Sequence, residues 1–298
     1  MTERQTEMRH PQARGLDLMA DSDVLGLLAR GQAEAAASVA AAAPAIARGA
    51  TLMAESIRSG GRLIYAAAGS SGLIALADAL EIPQTFGIAQ ERIVVLLAGG
   101  MAARVEMRGG PEDNAAEAEA AVAALEPGER DCLIAVTASG STPYPLAAVQ
   151  KSRDAGVRTI GVANNAGAPL FDLVDVGICL PTPPEILAGS TRMGAGTAQK
   201  IALNMLSTLM AIKLGHVHDG YMVNVLADNE KLRGRARGIV ADVAGVSPEE
   251  AAAAIALAGG AVKVAILVAA GANVVQAEAL LEQHDGVVRP ALAALRAR

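Results

Sequence analysis

Aromatic side chains are scarce in this 298-residue chain, with three Tyr, two Phe and no Trp. That scarcity removes the stacking platforms on which single-stranded nucleic acids and unphosphorylated sugars usually lie, so a ligand has to be gripped mainly by polar groups. Cysteine is nearly as rare. Cys132 and Cys179 are far apart in apolar stretches, which implies neither a disulfide framework nor a cysteine metal site and favours two buried, reduced thiols. Basic charge is in deficit: 25 Lys and Arg against 31 Asp and Glu give a net charge of −6 at pH 7. A nucleic-acid partner, whose affinity would rest on clustered cations, is not expected. The opening segment, MTERQTEMRHPQARG, is charged and has no apolar signal core. The nearest approach to a membrane span, Ala251 to Ala272, is built from Ala and Gly and interrupted by Lys263, which suits a buried helical pair better than a bilayer. The expectation is a cytoplasmic protein with no membrane partner.

What the chain does have is apolar residues, 52% of the total, over a length that can bury a large core. Arg62 to Ala68, Arg92 to Ala98, Asp131 to Thr137, Val157 to Ala163 and Val174 to Leu180 are runs of strand length with continuous rather than alternating hydrophobicity. Such runs suit strands covered on both faces. Between them, Gly72 to Glu81, Glu112 to Leu125 and Thr142 to Ala155 carry helix-forming Ala, Leu and Glu, giving a β-α-β-α pattern. The fold class is therefore α/β: a five-stranded parallel sheet flanked by helices, a flavodoxin-like three-layer sandwich. Helical sequence precedes it from Ser22 to Ser59, and long helices follow from about Thr191. A small helical subdomain closes the chain. Ser247-Pro-Glu-Glu is a strong helix start, with Ser as N-cap and Pro in the first turn, and Gly259-Gly260, Gly271 and Gly286 punctuate short apolar helices after it. The expected division is a helical region over 1–50, the sheet domain over 51–239 and the subdomain over 240–298.

In an open parallel sheet, ligands bind beyond the carboxyl ends of the strands, where the strand order reverses. Two such ends are rich in glycine and hydroxyls: Gly69-Ser70-Ser71-Gly72 after the first strand, and Thr137-Ala138-Ser139-Gly140-Ser141-Thr142-Pro143 after the third. Glycine lets backbone N–H groups approach an anion, a following helix supplies partial positive charge, and hydroxyls donate further hydrogen bonds. Each loop alone is ordinary punctuation, but the pair makes a phosphate cradle. Neither has the Lys of a nucleotide P-loop or the spacing of a dinucleotide fingerprint, which favours a small phosphorylated metabolite. Two carboxylates flank the loops. Glu81 is expected to end its helix, because Pro83 restrains Ile82, and a helix C-terminus favours the protonated acid. Glu112 follows Pro111 at a helix start, where the ionised form is favoured. A proton donor and a proton acceptor would suit general acid–base chemistry, although helix-end glutamates of this kind are commonplace.

Longer strings are more particular. LADALEIPQTFG around Glu81, GGPEDN around Glu112, TASGSTPYPLA from Thr137, GSTRMGAGTAQKIALNMLST from Gly189, VNVLADNEKLRGR from Val223 and LLEQHDGVVR from Leu280 resemble the N-acetylmuramic acid 6-phosphate etherase family, whose domain has the sugar isomerase (SIS) fold. The resemblance covers most of the chain. It implies cleavage of the D-lactyl ether of N-acetylmuramic acid 6-phosphate by elimination and hydration during cell-wall recycling, with no metal, nucleotide or organic cofactor. It also implies Glu81 as acid, Glu112 as base, and phosphate contacts at Ser71, Thr137, Ser139 and Thr142 with Ser70 adjacent. A homodimer is expected, with His284 as a candidate contribution from a partner subunit.

The chain departs from the family pattern at Leu73 and Ser141, where the family carries Arg, at Gly194, where it tends to carry Lys, and at Ile82-Pro83-Gln84-Thr85, where it reads Cys-Pro-Pro-Thr. Arg192 and Lys200 remain as cations. Two alternatives share the fold. A phosphosugar aldose–ketose isomerase often carries a Glu in the last sheet-domain helix, where this chain has Gln199-Lys200. A non-catalytic phosphosugar sensor has no evident need of both Glu81 and Glu112.

Overall fold

The apolar runs form five strands in the computed structural model, which describes residues 4–104 and 109–297. They are β1 (Leu63–Ala67), β2 (Ile93–Leu97), β3 (Cys132–Val136), β4 (Arg158–Ala163) and β5 (Val176–Cys179). All pair in parallel in the order β2-β1-β3-β4-β5. Every residue of β1 and β3 is buried, the state that continuous hydrophobicity anticipates for strands covered on both sides. The chain forms two compact units: the first runs to Leu80 and resumes over Glu91–Ser207, and the second comprises Glu81–Gln90 and the residues from Thr208 onward.

In the first unit, side-chain alternation along the strands sorts the layers. Ile64 and Ala66 of β1 and Leu133 and Ala135 of β3 join a core with Ala118 and Val122 of α4 (Ala115–Ala124) and Tyr144, Ala148 and Val149 of α5 (Pro143–Asp154). Tyr65 points the other way, where its hydroxyl meets Asp78 Oδ2 at 3.0 Å. Asp78 lies on α3 (Gly69–Phe86). It is 7% exposed and also accepts from Asn204 Nδ2 at 2.8 Å and Ser207 Oγ at 3.0 Å, both on α6 (Gly194–Lys213). A carboxylate so placed is tolerable only because its oxygens are satisfied. On this face α2 (Ala43–Arg58) also packs. Gly49 lets its backbone approach closely, since a Cβ there would come within 2.9 Å of Leu206 and 3.4 Å of Ile160.

The N-terminal helical expectation resolves into α1 (Asp21–Ser38), a 3-10 turn and α2. By length and composition the run Asp21–Arg58 is long and apolar enough to cross a bilayer, but α2 buries Ile46, Ala50, Met53 and Ala54 within the protein. The Ala251 to Ala272 stretch divides between two short helices, so neither is long enough to span about 30 Å of hydrocarbon.

The second unit contains a two-stranded hairpin, β6 (Val217–His218) and β7 (Tyr221–Met222), that the sequence reading does not contain. Five helices follow: α7 (Glu230–Ala244), α8 (Pro248–Leu257), α9 (Val262–Ala269), α10 (Val274–Gln283) and α11 (Val288–Arg296). Ser247 caps α8 through a reciprocal box. Its hydroxyl accepts from Glu250 N at 3.2 Å, and Glu250 Oε2 accepts from Ser247 N at 2.8 Å. Ile239, Val240, Ala265, Ile266, Leu280 and Ala291 make the core.

Two titratable side chains are placed there at a cost. Burial pushes the Lys263 ammonium down to about 8 from an ordinary 10.5. Burial, with the Lys263 charge adding, pushes His216 down to about 4 from 6.5. For both, the unfolded chain binds the proton more readily than the folded one, so stability rises with pH through the window between the two values. Lys263 is fully protonated in both states below that window, and its cost there is constant. Lys263→Met should therefore raise stability at pH 7 by about 1–3 kcal/mol. Thermal melts should show a higher Tm and no further rise between pH 8 and 10.5. His216 predicts the complementary loss, with stability falling as pH drops from 6.5 toward 4.

Candidate functional site

Strand order reverses between β1 and β3, because the chain passes from β1 to β2 on one side and then to β3 on the other. Both hydroxyl loops leave these two strands. The first is in effect the start of α3, which begins at Gly69 rather than at Gly72. Gly69 takes φ +54°, and Ser70 and Ser71 sit in the first turn, at the positive end of an 18-residue helix. Gly72 packs closely against β2, since a Cβ there would fall 2.2 Å from Leu97 Cδ1 and that side chain would have to move.

The second loop folds its hydroxyls onto one another. Thr137 Oγ1 lies 2.8 Å from Thr142 Oγ1 and 3.4 Å from Ser139 Oγ, and Ser139 Oγ lies 3.3 Å from Thr142 Oγ1. Ser139 Oγ also accepts from Ser141 N and Ser141 Oγ, each at 3.2 Å. Gly140 makes the turn at φ +71°, with a virtual Cβ 2.2 Å from Ala168 Cβ. Thr142 precedes Pro143 at the N-terminus of α5.

Between the loops is a cleft of about 370 Å³. Ser70, Ser71, Thr137, Ser139 and Thr142 all line it, as does Glu112. Glu112 faces the first loop, for a Cβ on Gly69 would lie 3.7 Å from its Oε2. It does not begin a long helix. It belongs to a 3-10 turn, Gly110–Asp113, and Asn114 separates it from α4 as N-cap, accepting from Glu117 N at 3.1 Å. The favourable α-helix dipole expected at Glu112 is thus not its local environment.

Glu81 is on α3 with the two serines, but α3 continues through Pro83 to Phe86. The expected helix end at Glu81 is therefore incorrect, and the C-terminal dipole, which fades beyond the last turn, loses its hold on this carboxyl. Glu81 is solvent-exposed, belongs to the second unit, and is not among the residues lining the cleft.

Four lining residues are not singled out by the sequence: Arg4 and Glu7, and Asp113 and Thr191, which lie within the GGPEDN and GSTRMG strings. Arg192, Lys200 and Leu73 are exposed and do not line the cleft, whereas Ser141 does. Glu185 is also unforeseen. Its carboxylate accepts from Gly194 N at 3.0 Å and Ala195 N at 2.8 Å, so an internal anion already occupies the start of α6. A side chain at Gly194 would crowd it, with Cβ 3.1 Å from both Ala35 Cβ and Glu185 Oε2. Gln199 is fully buried and donates to Asn164 Oδ1 at 2.8 Å. Among the described residues, no cluster of three or more His, Cys, Asp or Glu could hold a metal ion.

A parallel sheet of this order, with two hydroxyl-rich loops meeting at its switch point, places the protein among the SIS domains. The SIS domain model matches residues 112–209, and that of the glucokinase regulatory protein N-terminal SIS domain matches 45–153. A phosphoheptose isomerase from Francisella tularensis has the same fold, with TM-score 0.52 and 22% identity, covering 65% of this chain and 100% of its own. More narrowly, the chain belongs to the N-acetylmuramic acid 6-phosphate etherase family. It is 44% identical to the Burkholderia lata protein of that name over 97% of this chain and 96% of the other. Identity to the Deinococcus radiodurans one is 43% over 97% and 95%.

Proposed function

We propose that the chain cleaves the D-lactyl ether of N-acetylmuramic acid 6-phosphate, giving N-acetylglucosamine 6-phosphate and D-lactate in the recycling of cell-wall amino sugars. The observation that carries this reading is the convergence of the two hydroxyl loops with Glu112 in one cleft, in a chain whose relatives are etherases along nearly their whole length. The phosphate would take donors from Ser71, Thr137, Ser139 and Thr142, with Ser70 and the first amides of α3 beside them. In the open-chain sugar the C1 aldehyde acidifies the C2 proton. Glu112 removes it, and the electron pair expels the lactyl oxygen from C3 as that oxygen takes a proton from Glu81. Water then adds across the unsaturated aldehyde at C3, restoring the hydroxyl and returning a proton to C2. Protonating so poor a leaving group is what requires an acid as well as a base. Glu81 enters this scheme on family resemblance, and Glu112 on resemblance together with its place in the cleft.

We further place the protein in the cytoplasm as a homodimer, with His284 offered to a neighbouring subunit, and assign the sheet domain over 51–239 the chemistry. The helical region 1–50 precedes it and the small helical subdomain 240–298 follows it.

The direct experiment is to incubate the purified protein with N-acetylmuramic acid 6-phosphate and assay D-lactate. Folded enzyme at high concentration that releases none would refute the reading. Ser139→Ala should raise KM by about 10- to 100-fold, since a hydrogen bond to a charged oxygen contributes about 1.5–3 kcal/mol. An unchanged KM would move the phosphate elsewhere.

A further inference from the structure

The cleft is short of positive charge. Of its charged lining residues Glu7, Glu112 and Asp113 are acidic, and Arg4 is the one basic residue among the described residues that line it. A phosphate monoester brings a charge approaching −2 at neutral pH. Hydroxyls and amides can hydrogen-bond that charge but do not neutralise it, and the three carboxylates repel it.

The segment that carries Arg4 is anchored. Thr6 is 2% exposed. Its backbone N–H donates to Asn165 Oδ1 at 3.2 Å, and Asn165 Nδ2 donates to Thr6 Oγ1 at 2.9 Å. The same Nδ2 group lies 3.2 Å from Ala138 O and 3.3 Å from Ser139 O. Asn165 is itself 5% exposed. One buried amide thus ties the N-terminal segment to the backbone of the second hydroxyl loop, and fixes Arg4 relative to the donors on that loop.

We propose that Arg4 is the counter-cation of the substrate phosphate, and that Thr6 and Asn165 are positioning residues that hold it over the cradle. The assignment rests on the phosphosugar reading above and adds to it a residue 66 positions before the first cradle serine, Ser70. Guanidinium suits the task because its planar fork can engage two phosphate oxygens at once. A ligand with a neutral hydroxyl in place of the phosphate would leave Arg4 without its partner and would bind poorly.

The test uses inorganic phosphate as the probe, by titration calorimetry and as a competitive inhibitor. In Arg4→Ala, phosphate affinity should fall about 10- to 100-fold, the loss expected for one charge-assisted contact, while the Tm stays unchanged. Arg4→Lys should recover part of the loss, as a point charge without the fork. Thr6→Val should weaken phosphate binding in the same direction, and Thr6→Ser, which keeps the hydroxyl, should restore it. With N-acetylmuramic acid 6-phosphate the loss should fall in KM more than in kcat. Phosphate affinity that is indifferent to Arg4→Ala overturns the assignment, even if lactate is released normally. Arg4-dependent phosphate binding without lactate release sinks the etherase reading and leaves the assignment standing.

Discussion

Glu112→Gln should lower D-lactate release by about 10³-fold or more, the upper range for removal of a general base, and should also stop exchange of the C2 proton with deuterated water. Glu81→Gln should lose lactate release to a similar degree yet keep the exchange. Deprotonation at C2 needs only the base and the C1 aldehyde, whereas departure of the lactyl oxygen needs the acid. Both side chains are solvent-exposed, so neither change should move stability by more than about 0.5 kcal/mol. Exchange followed by NMR beside the lactate assay separates the two steps. Equal loss of exchange in both variants would contradict the division of roles.

Gly140→Ala should be the most damaging single methyl group in the cradle. The residue sits at φ +71°, and the added Cβ would lie 2.2 Å from Ala168 Cβ and 3.1 Å from Ala163 Cβ. The left-handed backbone costs roughly 1–2 kcal/mol and the overpacking another 1–3. The loop would relieve the clash by moving Ser139 and Thr142 away from Thr137, so KM should rise along with the fall in Tm. Gly167→Ala supplies the control. Its φ is +70° but nothing lies within 4 Å of the added carbon, so it should show only the backbone part. Equal effects of the two substitutions would mean that Ala168 yields without cost.

The sheet was legible because its signal is local. Five continuous apolar runs became the five strands, with ends within about two residues, since a strand buried on both faces has no polar positions to blur it. The meeting of the two hydroxyl loops was legible for a related reason, since glycine and hydroxyls stand together at two strand ends, and both loops line one cleft. Helix ends were harder. Pro83 removes one hydrogen bond to Ala79 and suggests a stop, but Ile82 and Phe86 are buried at 1% and 7% exposure, and their packing outweighs the missing bond so that α3 continues. Near Glu112 the composition suggests one continuous helix, whereas the chain makes a 3-10 turn, an Asn cap and then α4. Asn114 is the residue that could have marked the boundary. Arg4, Thr6 and Glu185 could not be found this way. Thr6 and Glu185 bind partners set by tertiary packing, Arg4 is carried with Thr6, and an irregular segment has no period to announce what it will touch.

The tie between Thr6 and Asn165 spans 159 residues, and this has a temporal meaning for a chain made from one end. At about 5–20 residues per second, Thr6 is synthesised roughly 8–30 seconds before its partner. Arg4 therefore reaches its place only after β4 has emerged and docked beside β3. The N-terminal segment is thus made long before it can be fixed, and the cleft gains its one described basic lining residue only once the residues just after β4 are in place.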